Sequence, residues 1–290
     1  MNKTIEITIE EKENSLPLKA VLSKSVGLSR REISRLKFNH GLLLNGNECR
    51  VTEIVHTNDV ITLTFLEKDL PHVLRMIGTP DILYEDEDLV VVNKPAGMVC
   101  HPTHEHIDDD MGTLLQNYYG SGFMIRSIGR LDKEVSGIMI YAKSQIAASR
   151  LSSQRSKEKL HKVYHAIVEG IFEEKSGTLK YSLTRQEHGK QRKISDDGKA
   201  CITHYKVLKE YEEYSFVEIW IETGRTHQIR AGMASVGHPL CGDSLYGGSR
   251  DLIDRPALHC ARVDLLQPFD QIPIHIELEE PEDMKRLITL

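Results

Sequence analysis

Residues 128–143 read IGRLDKEVSGIMIYAK. A polar, charged segment gives way at Ser136-Gly137 to an almost wholly apolar run, the pattern of a turn feeding a buried strand. The reading places one carboxylate, Asp132, on a turn at the mouth of that strand, among Arg126, Arg130 and Lys133. Cations at that range favour the ionised carboxylate and leave it available as a nucleophile or base. The plain alternative is a structural salt bridge.

Working outward, DILYEDEDLVVVNKPAG reads as strand, acidic turn, strand, and YHAIVEG, HYKVLKEY, YSFVEIWIETG and IPIHIELEE read as further strands. Clear helical patterns are few: AKSQIAASRLSSQRSKEKL is the best and THQIRAGMASVG another. Strands and helices do not alternate regularly, which excludes a doubly wound parallel sheet. Ahead of these lies a small unit at 16–66. LPLKAVLSKSV has apolar residues at helical spacing and ends at Gly27. Ser29 and Glu32 form a capping box for SRREISRLKFNHG, with Gly41 as the stop. Asn45-Gly46 signals a hairpin, and VITLTF a closing strand. Residues 1–13 alternate as a short strand. The boundaries expected are a small module over 1–66, a polar linker over 67–80 interrupted by Pro71, and the main domain over 81–290.

The chain has 290 residues, 40% hydrophobic and 28% charged, with a net charge of −6. That is long enough for a large domain plus a small one and too apolar for a disordered chain. The N-terminus lacks a secretory h-region, no stretch is apolar enough to span a membrane, and five scattered cysteines fit reduced thiols; the expected compartment is the cytoplasm. The acidic total argues against a polyanion partner only if charge is evenly spread, and it is not. Residues 16–50 carry seven Lys/Arg against two acids, and 126–162 carry nine against three, whereas 67–110 carry eleven acids against three bases. Each basic run could be a solvated helix face. Two of them beside chemically dense motifs favour nucleic acid.

Other chemistries are weaker. HPTHEHIDDD sets His101, His104 and His106 beside Asp108, Asp109 and Asp110, ligand types suited to a metal, but on a loop whose spacing matches no recognised site; a solvated polar loop is preferred. Cys201 with His204, and His238 with Cys241, read as buried cysteines beside unrelated histidines. No G-x-S-x-G elbow or phosphate loop is present. A second dense knot, ETGRTHQIRAGMASVGHPLCGDSLYGG, packs Arg225, Thr226, His227, Gln228 and Arg230 at a strand-to-helix turn. Such groups are costly to bury unless paired. They read as a satisfied helix start or as a site for a polyanion or a partner carboxylate.

Four ordered blocks over roughly 82–266 resemble the RluA-type RNA pseudouridine synthases: ILYEDEDLVVVNKPAGMVCHP, GRLDKEVSG, KVYHAIVEG, and TGRTHQIR followed by GHPLCGDSLYG. The resemblance implies an α+β fold built on a mixed, mainly antiparallel β-sheet. It implies Asp132 as catalytic aspartate, Tyr164 as the tyrosine packed on the target base, Arg230 as the arginine paired with the aspartate, and Arg130 as the residue filling the place of a flipped uridine. Arg225, His227, Gln228 and Ile229 would line the substrate site. The helix near 145–160 and the basic loop 180–199 would follow the RNA backbone. The unit at 16–66 resembles a small RNA-binding module shared with a ribosomal small-subunit protein, with Arg30, Arg31, Arg35 and Lys37 as RNA contacts. No cofactor, membrane or obligatory protein partner is implied; a monomer is expected, with large-subunit ribosomal RNA the family-typical substrate and transfer RNA the alternative. The chain departs from the family at Gly129 (usually His), Val135 (usually Thr) and Gly232 (often His), none of which removes Asp132, Tyr164 or Arg230. The rivals are an inactive, synthase-like RNA binder and a metal-dependent hydrolase on the 101–110 loop.

Overall fold

The computed structural model describes residues 3–65, 78–102, 109–120, 126–156, 159–186 and 191–289. Most of the stretch read as a linker, and His104, His106 and Asp108 of the polar loop, lie outside the described residues, as does the side chain of Arg31.

The N-terminal residues build a four-stranded sheet from β1 (Lys3–Thr8), β2 (Leu42–Leu44), β3 (Asn47–Glu48) and β4 (Val60–Phe65), in the order β1-β4-β2-β3 and antiparallel throughout. Helices α1 (Leu18–Lys24) and α2 (Arg30–Phe38) precede the hairpin. Asn45 and Gly46 both hold positive φ (50° and 78°), as a two-residue type I′ turn requires. Ser29 and Glu32 make the capping box reciprocally, the Glu32 amide donating to the Ser29 hydroxyl and the Ser29 amide to the Glu32 carboxylate. The stop differs from expectation. His40, not Gly41, takes the left-handed conformation (φ 53°), and the Gly41 and His40 amides donate to the Leu36 and Lys37 carbonyls in a Schellman closure. Gly41 is required for another reason: a Cβ there would fall 2.2 Å from the Thr64 carbonyl oxygen.

The larger sheet has eleven strands: β5 (Ile82–Glu85), β6 (Leu89–Lys94), β7 (Arg126–Ser127), β8 (Ser136–Ala142), β9 (His161–Glu169), β10 (Ser176–Arg185), β11 (Arg192–Ile194), β12 (Lys199–Glu210), β13 (Tyr214–Ile221), β14 (Leu258–Leu266) and β15 (Pro273–Glu277). Its path runs β11-β10-β12-β13-β9-β14-β8-β6-β5, with β15 on β14 and β7 on β8. Every pairing is antiparallel except β8 with β14. The fold is therefore mixed α+β on a mainly antiparallel sheet. Helices α3 (Met111–Tyr119), α4 (Gln145–Ser156), α5 (Gln228–Ser235) and α6 (Glu282–Ile288) accompany it. The sequence reading found α4 and α5 but not α3 and α6. All seven residues of β8 are buried, and Gly137 at its start (φ 112°) is the only residue type that fits, since a Cβ would meet the Cys260 carbonyl oxygen at 2.4 Å.

The two sheets meet through α4. Ile146 joins the N-terminal apolar core of Leu18, Leu22, Ile33, Leu36 and Ile61. The Ser149 hydroxyl donates to the Gly27 carbonyl at 2.7 Å, and Arg35 to Gln145. Among the described residues no helix is long and apolar enough to cross a membrane.

Asp110 departs from the solvated-loop reading. It is fully buried and caps α3, accepting from the Thr113 amide at 3.0 Å and the Thr113 hydroxyl at 2.6 Å. Cys201 and His204 point to opposite faces of β12, as a three-residue spacing on a strand demands. Cys201 is buried, while His204 contacts Thr178 and Glu222.

Next to β8 lies His259 of β14, buried, with Nδ1 on the Ser136 hydroxyl at 2.9 Å and Nε2 without a partner among the described residues. Burial pulls this imidazole down to about 4. The folded state thus binds fewer protons than the unfolded chain between pH ~6.5 and 4, and stability must fall as pH drops through that window. The expected contribution is on the order of 3 kcal/mol. Urea unfolding from pH 7 to 4 checks it: His259→Asn should flatten the wild-type slope, and identical slopes would refute it.

Candidate active site

β8 ends its preceding loop at a turn in which the Val135 amide donates to the Asp132 carbonyl. The turn is held from behind. The Leu131 amide donates to the Cys100 sulfur, 3.2 Å away, and the Tyr141 hydroxyl to the Cys100 carbonyl. The Lys94 ammonium, fully buried, donates to the carbonyls of Pro95 and Met98 at 2.7 Å and of Lys133 at 3.2 Å. Burial pulls Lys94 down to about 8. Its three carbonyl partners tie the loop after β6 to the turn that carries Asp132.

Opposite stands α5. His227, just before it, is left-handed (φ 58°) and turns the chain so that Arg230 faces inward. The Arg230 Nε and Nη2 donate to Asp243 at 2.7 Å each, a bidentate pair in which Asp243 is 1% exposed. The remaining nitrogen, Nη1, reaches the Asp132 Oδ2 at 3.3 Å. Burial opposes the Arg230 charge, but the bonds and charge of Asp243, and then Asp132, more than offset it and raise its pKa. Tyr246 places its ring against the guanidinium, and its hydroxyl lies 3.0 Å from the His227 Nδ1. The other imidazole nitrogen, Nε2, is 3.7 Å from Asp132. Burial lowers the His227 pKa despite the charge of Asp132.

Asp132, His227 and Arg230 line a cavity of about 280 Å³. Its inner wall is buried and mostly apolar: Leu131, Val135, Tyr164, Ile229 and Leu258, with Arg230. Arg130, Arg155 and Arg225 stand exposed at its rim. Tyr164, on β9, is 6% exposed, and burial raises its pKa well above the ordinary value, so the hydroxyl is protonated at neutral pH. Gln228 is spent on protein contacts. Its amide nitrogen donates to the Ile202 carbonyl and the Thr203 hydroxyl, and its oxygen accepts from Thr223 and the Arg225 amide. Trp220, 39% exposed, stacks on His204 at one edge of the cavity.

A sequence profile described as RNA pseudouridylate synthase matches residues 88–235. The RNA pseudouridine synthase YhcT of Bacillus subtilis is 36% identical, over 98% of this chain and 96% of its own length. The chain belongs to the RNA pseudouridylate synthase family. The ribosomal large subunit pseudouridine synthase D of Pseudomonas aeruginosa is 33% identical over 86% of this chain and 83% of the relative. Among solved structures, human RNA pseudouridylate synthase domain containing 1 aligns with a TM-score of 0.59 and 25% identity, over 71% of this chain and 87% of that one.

The synthase thus brings Asp132, Tyr164 and Arg230 to one cavity, with Arg130, Arg225, His227, Gln228 and Ile229 around it. Arg30 and Lys37 are exposed on α2, and Arg35, also exposed, donates to Gln145. Sequence reading did not single out Asp243, Tyr246 or Lys94 as site-building residues. The first two sit within the quoted block GHPLCGDSLYG and the third within NKPAG, but the pairing of Asp243 with Arg230 crosses a loop whose course only the fold supplies.

Lys94→Met should cost about 2–4 kcal/mol by leaving three carbonyls unpaired. Turnover should fall as well, measured well below the melting temperature, although Lys94 does not line the cavity. Unchanged turnover in a destabilised variant would show that the Asp132 turn holds its place without this tie.

Proposed function

We propose that the synthase isomerises uridine in large-subunit ribosomal RNA, with Asp132 as its catalytic carboxylate and Arg230 and Tyr164 as its partners. The supporting observation is the Asp132 carboxylate facing Arg230 at 3.3 Å inside a cavity of about 280 Å³. That volume lies near the lower end of the roughly 300–1,000 Å³ of small-molecule pockets, room for one nucleoside and not for a helix. A paired uridine would have to be turned out of its stem to enter, and Arg130, exposed at the rim, would fill the vacated position.

In the reaction the bond from uracil nitrogen-1 to ribose carbon-1′ breaks, the base turns, and carbon-5 joins carbon-1′. The proton leaves carbon-5 and nitrogen-1 regains one, so no oxidant or energy source is consumed. Asp132 can attack the sugar or the base or remove a sugar proton; each needs a carboxylate oriented by a fixed cation, which Arg230, clamped by Asp243, provides. Tyr164 offers an apolar ring face to the uracil. Its hydroxyl, held protonated by burial, is a donor in the resting enzyme and not a resting base. Gln228 shapes the wall and Ile229 supplies apolar contact.

The ribosomal assignment is supported by the relatives named as large-subunit enzymes. Pseudouridine mapping of RNA from cells with and without this gene tests it: a site lost in ribosomal RNA supports it, and a loss confined to transfer RNA overturns it. Release of tritium from carbon-5-labelled RNA by the wild type tests the activity itself against the inactive-binder alternative.

The module over 1–66, joined by 67–80 to a catalytic domain over 81–290, is proposed to bind RNA through Arg30, Arg31, Arg35 and Lys37 on and around α2, in the cytoplasm. Phe38, 85% exposed at the end of this basic helix, adds a stacking surface. RNA affinity should fall steeply with salt despite the net charge of −6. Titrations across a several-fold range of KCl check this, and a flat response would refute it.

A further inference from the structure

The last turn of α4 sends Arg155 across the cavity rim, where its guanidinium lies against two glycines from separate segments. A Cβ on Gly224, in the turn between β13 and α5, would fall 1.8 Å from Nη2 and 3.0 Å from Cζ. A Cβ on Gly129, three residues before Asp132, would lie 3.5 Å from Nη1. The Gly224 backbone leaves the guanidinium the space that a Cβ would occupy, and Gly129 borders it at ordinary contact distance. Gly129 is also one of the positions where this chain departs from the family pattern it resembles.

The second observation concerns charge. Arg230 is committed to Asp243 and Asp132, and Arg150 to the Pro268 carbonyl and the Phe269 ring. Arg155 has no hydrogen bond or ion pair to the protein among the described residues. It is exposed at the rim while the inner wall is buried and apolar. A nucleoside entering base-first leaves its phosphate at that rim, and a guanidinium offers several parallel N–H donors to such an anion.

We propose that Arg155, seated on Gly129 and Gly224, binds the backbone phosphate of the uridine that enters the cavity. The assignment rests on the reading of this cavity as the uridine site.

The test uses unmodified large-subunit ribosomal RNA transcripts labelled with tritium at carbon-5, with affinity measured across a KCl series for the wild type, Arg155→Met, Arg155→Lys and Gly224→Ala. Arg155→Met should weaken binding about tenfold or more and lower the slope of log affinity against log salt by roughly 0.7–0.9, one phosphate's worth. Arg155→Lys should retain most of the slope. Gly224→Ala, which displaces the guanidinium while keeping its charge, should weaken binding without lowering the melting temperature, because the flexible side chain yields. A full wild-type slope in Arg155→Met overturns the proposal, whether affinity is unchanged or is reduced as loss of base stacking would reduce it. Wild-type affinity and slope in Gly224→Ala overturn the seating. Asp132→Ala runs in parallel on tritium release: if it stays active, the uridine-site reading itself fails; if it is inactive while Arg155→Met keeps its slope, only the phosphate assignment fails.

Discussion

Asp132→Asn is expected to lower the single-turnover rate of tritium release by about 10⁴-fold or more while leaving the fold in place. The substitution keeps the shape of the side chain and removes its charge. Arg230 does not become an orphan, because its Nε and Nη2 remain on Asp243 at 2.7 Å. The interactions weakened are the 3.3 Å contact with Arg230 and the 3.7 Å approach of the His227 Nε2, both in a partly buried position. The melting temperature should therefore move little, and RNA affinity should hold, since the phosphate-facing cations are untouched. A variant that retains a tenth of the wild-type rate would remove Asp132 from the chemistry. A variant that unfolds would mean that the turn depends on its charge.

Asp243→Asn should damage both stability and turnover, and the two effects separate. Asp243 is 1% exposed and is the bidentate partner of a buried guanidinium. Breaking a buried pair on one side costs about 3–5 kcal/mol. Freed from its clamp, Arg230 can turn fully onto Asp132, which alters the carboxylate's orientation, and turnover should fall roughly 100-fold or more even well below the new melting temperature. The double variant Arg230→Met with Asp243→Leu replaces the pair by apolar volume and should recover much of the stability. It should recover none of the activity. Activity recovered together with stability would show that Arg230 and Asp243 are only scaffolding.

The parts of the site legible in the sequence were those carried by local pattern. Asp132 stood out because a charged turn fed a strand buried on both faces, and the four ordered blocks placed Tyr164 and Arg230 beside it. The N-terminal helices were legible from their apolar spacing and the Ser29–Glu32 box. Helices α3 and α6 were not, because each starts straight out of an acidic run, IDDD and ELEE, that hides where the periodic pattern begins. Asp110 was misjudged for the same reason: three consecutive aspartates resemble a solvated loop until a helix start claims one of them. His40 took the left-handed closure expected of Gly41, because the glycine was needed one residue later to clear the Thr64 carbonyl. Asp243 escaped because its partner lies across a loop, a relation that no spacing rule encodes.

The lone parallel pairing of β8 with β14 has a consequence for how the enzyme comes into being. Asp132 enters from the β8 side and Tyr164 from β9, and β14 is the strand between them. Ser136 aligns with His259, 123 residues later in the chain. Closing so long a loop is an entropic barrier that local hairpins do not face. The antiparallel β9–β13–β12–β10 segment and the β5–β6–β8 segment close over shorter separations, at most Val163 with Trp220 and Leu89 with Ala142, yet neither contains the whole site. Catalytic competence should therefore appear in one late step as β14 zips the halves together, after most secondary structure has formed. A nascent chain that has not yet released β14 from the ribosome would carry Asp132, Tyr164 and Arg230 and still lack the strand that holds the two halves of the cavity together.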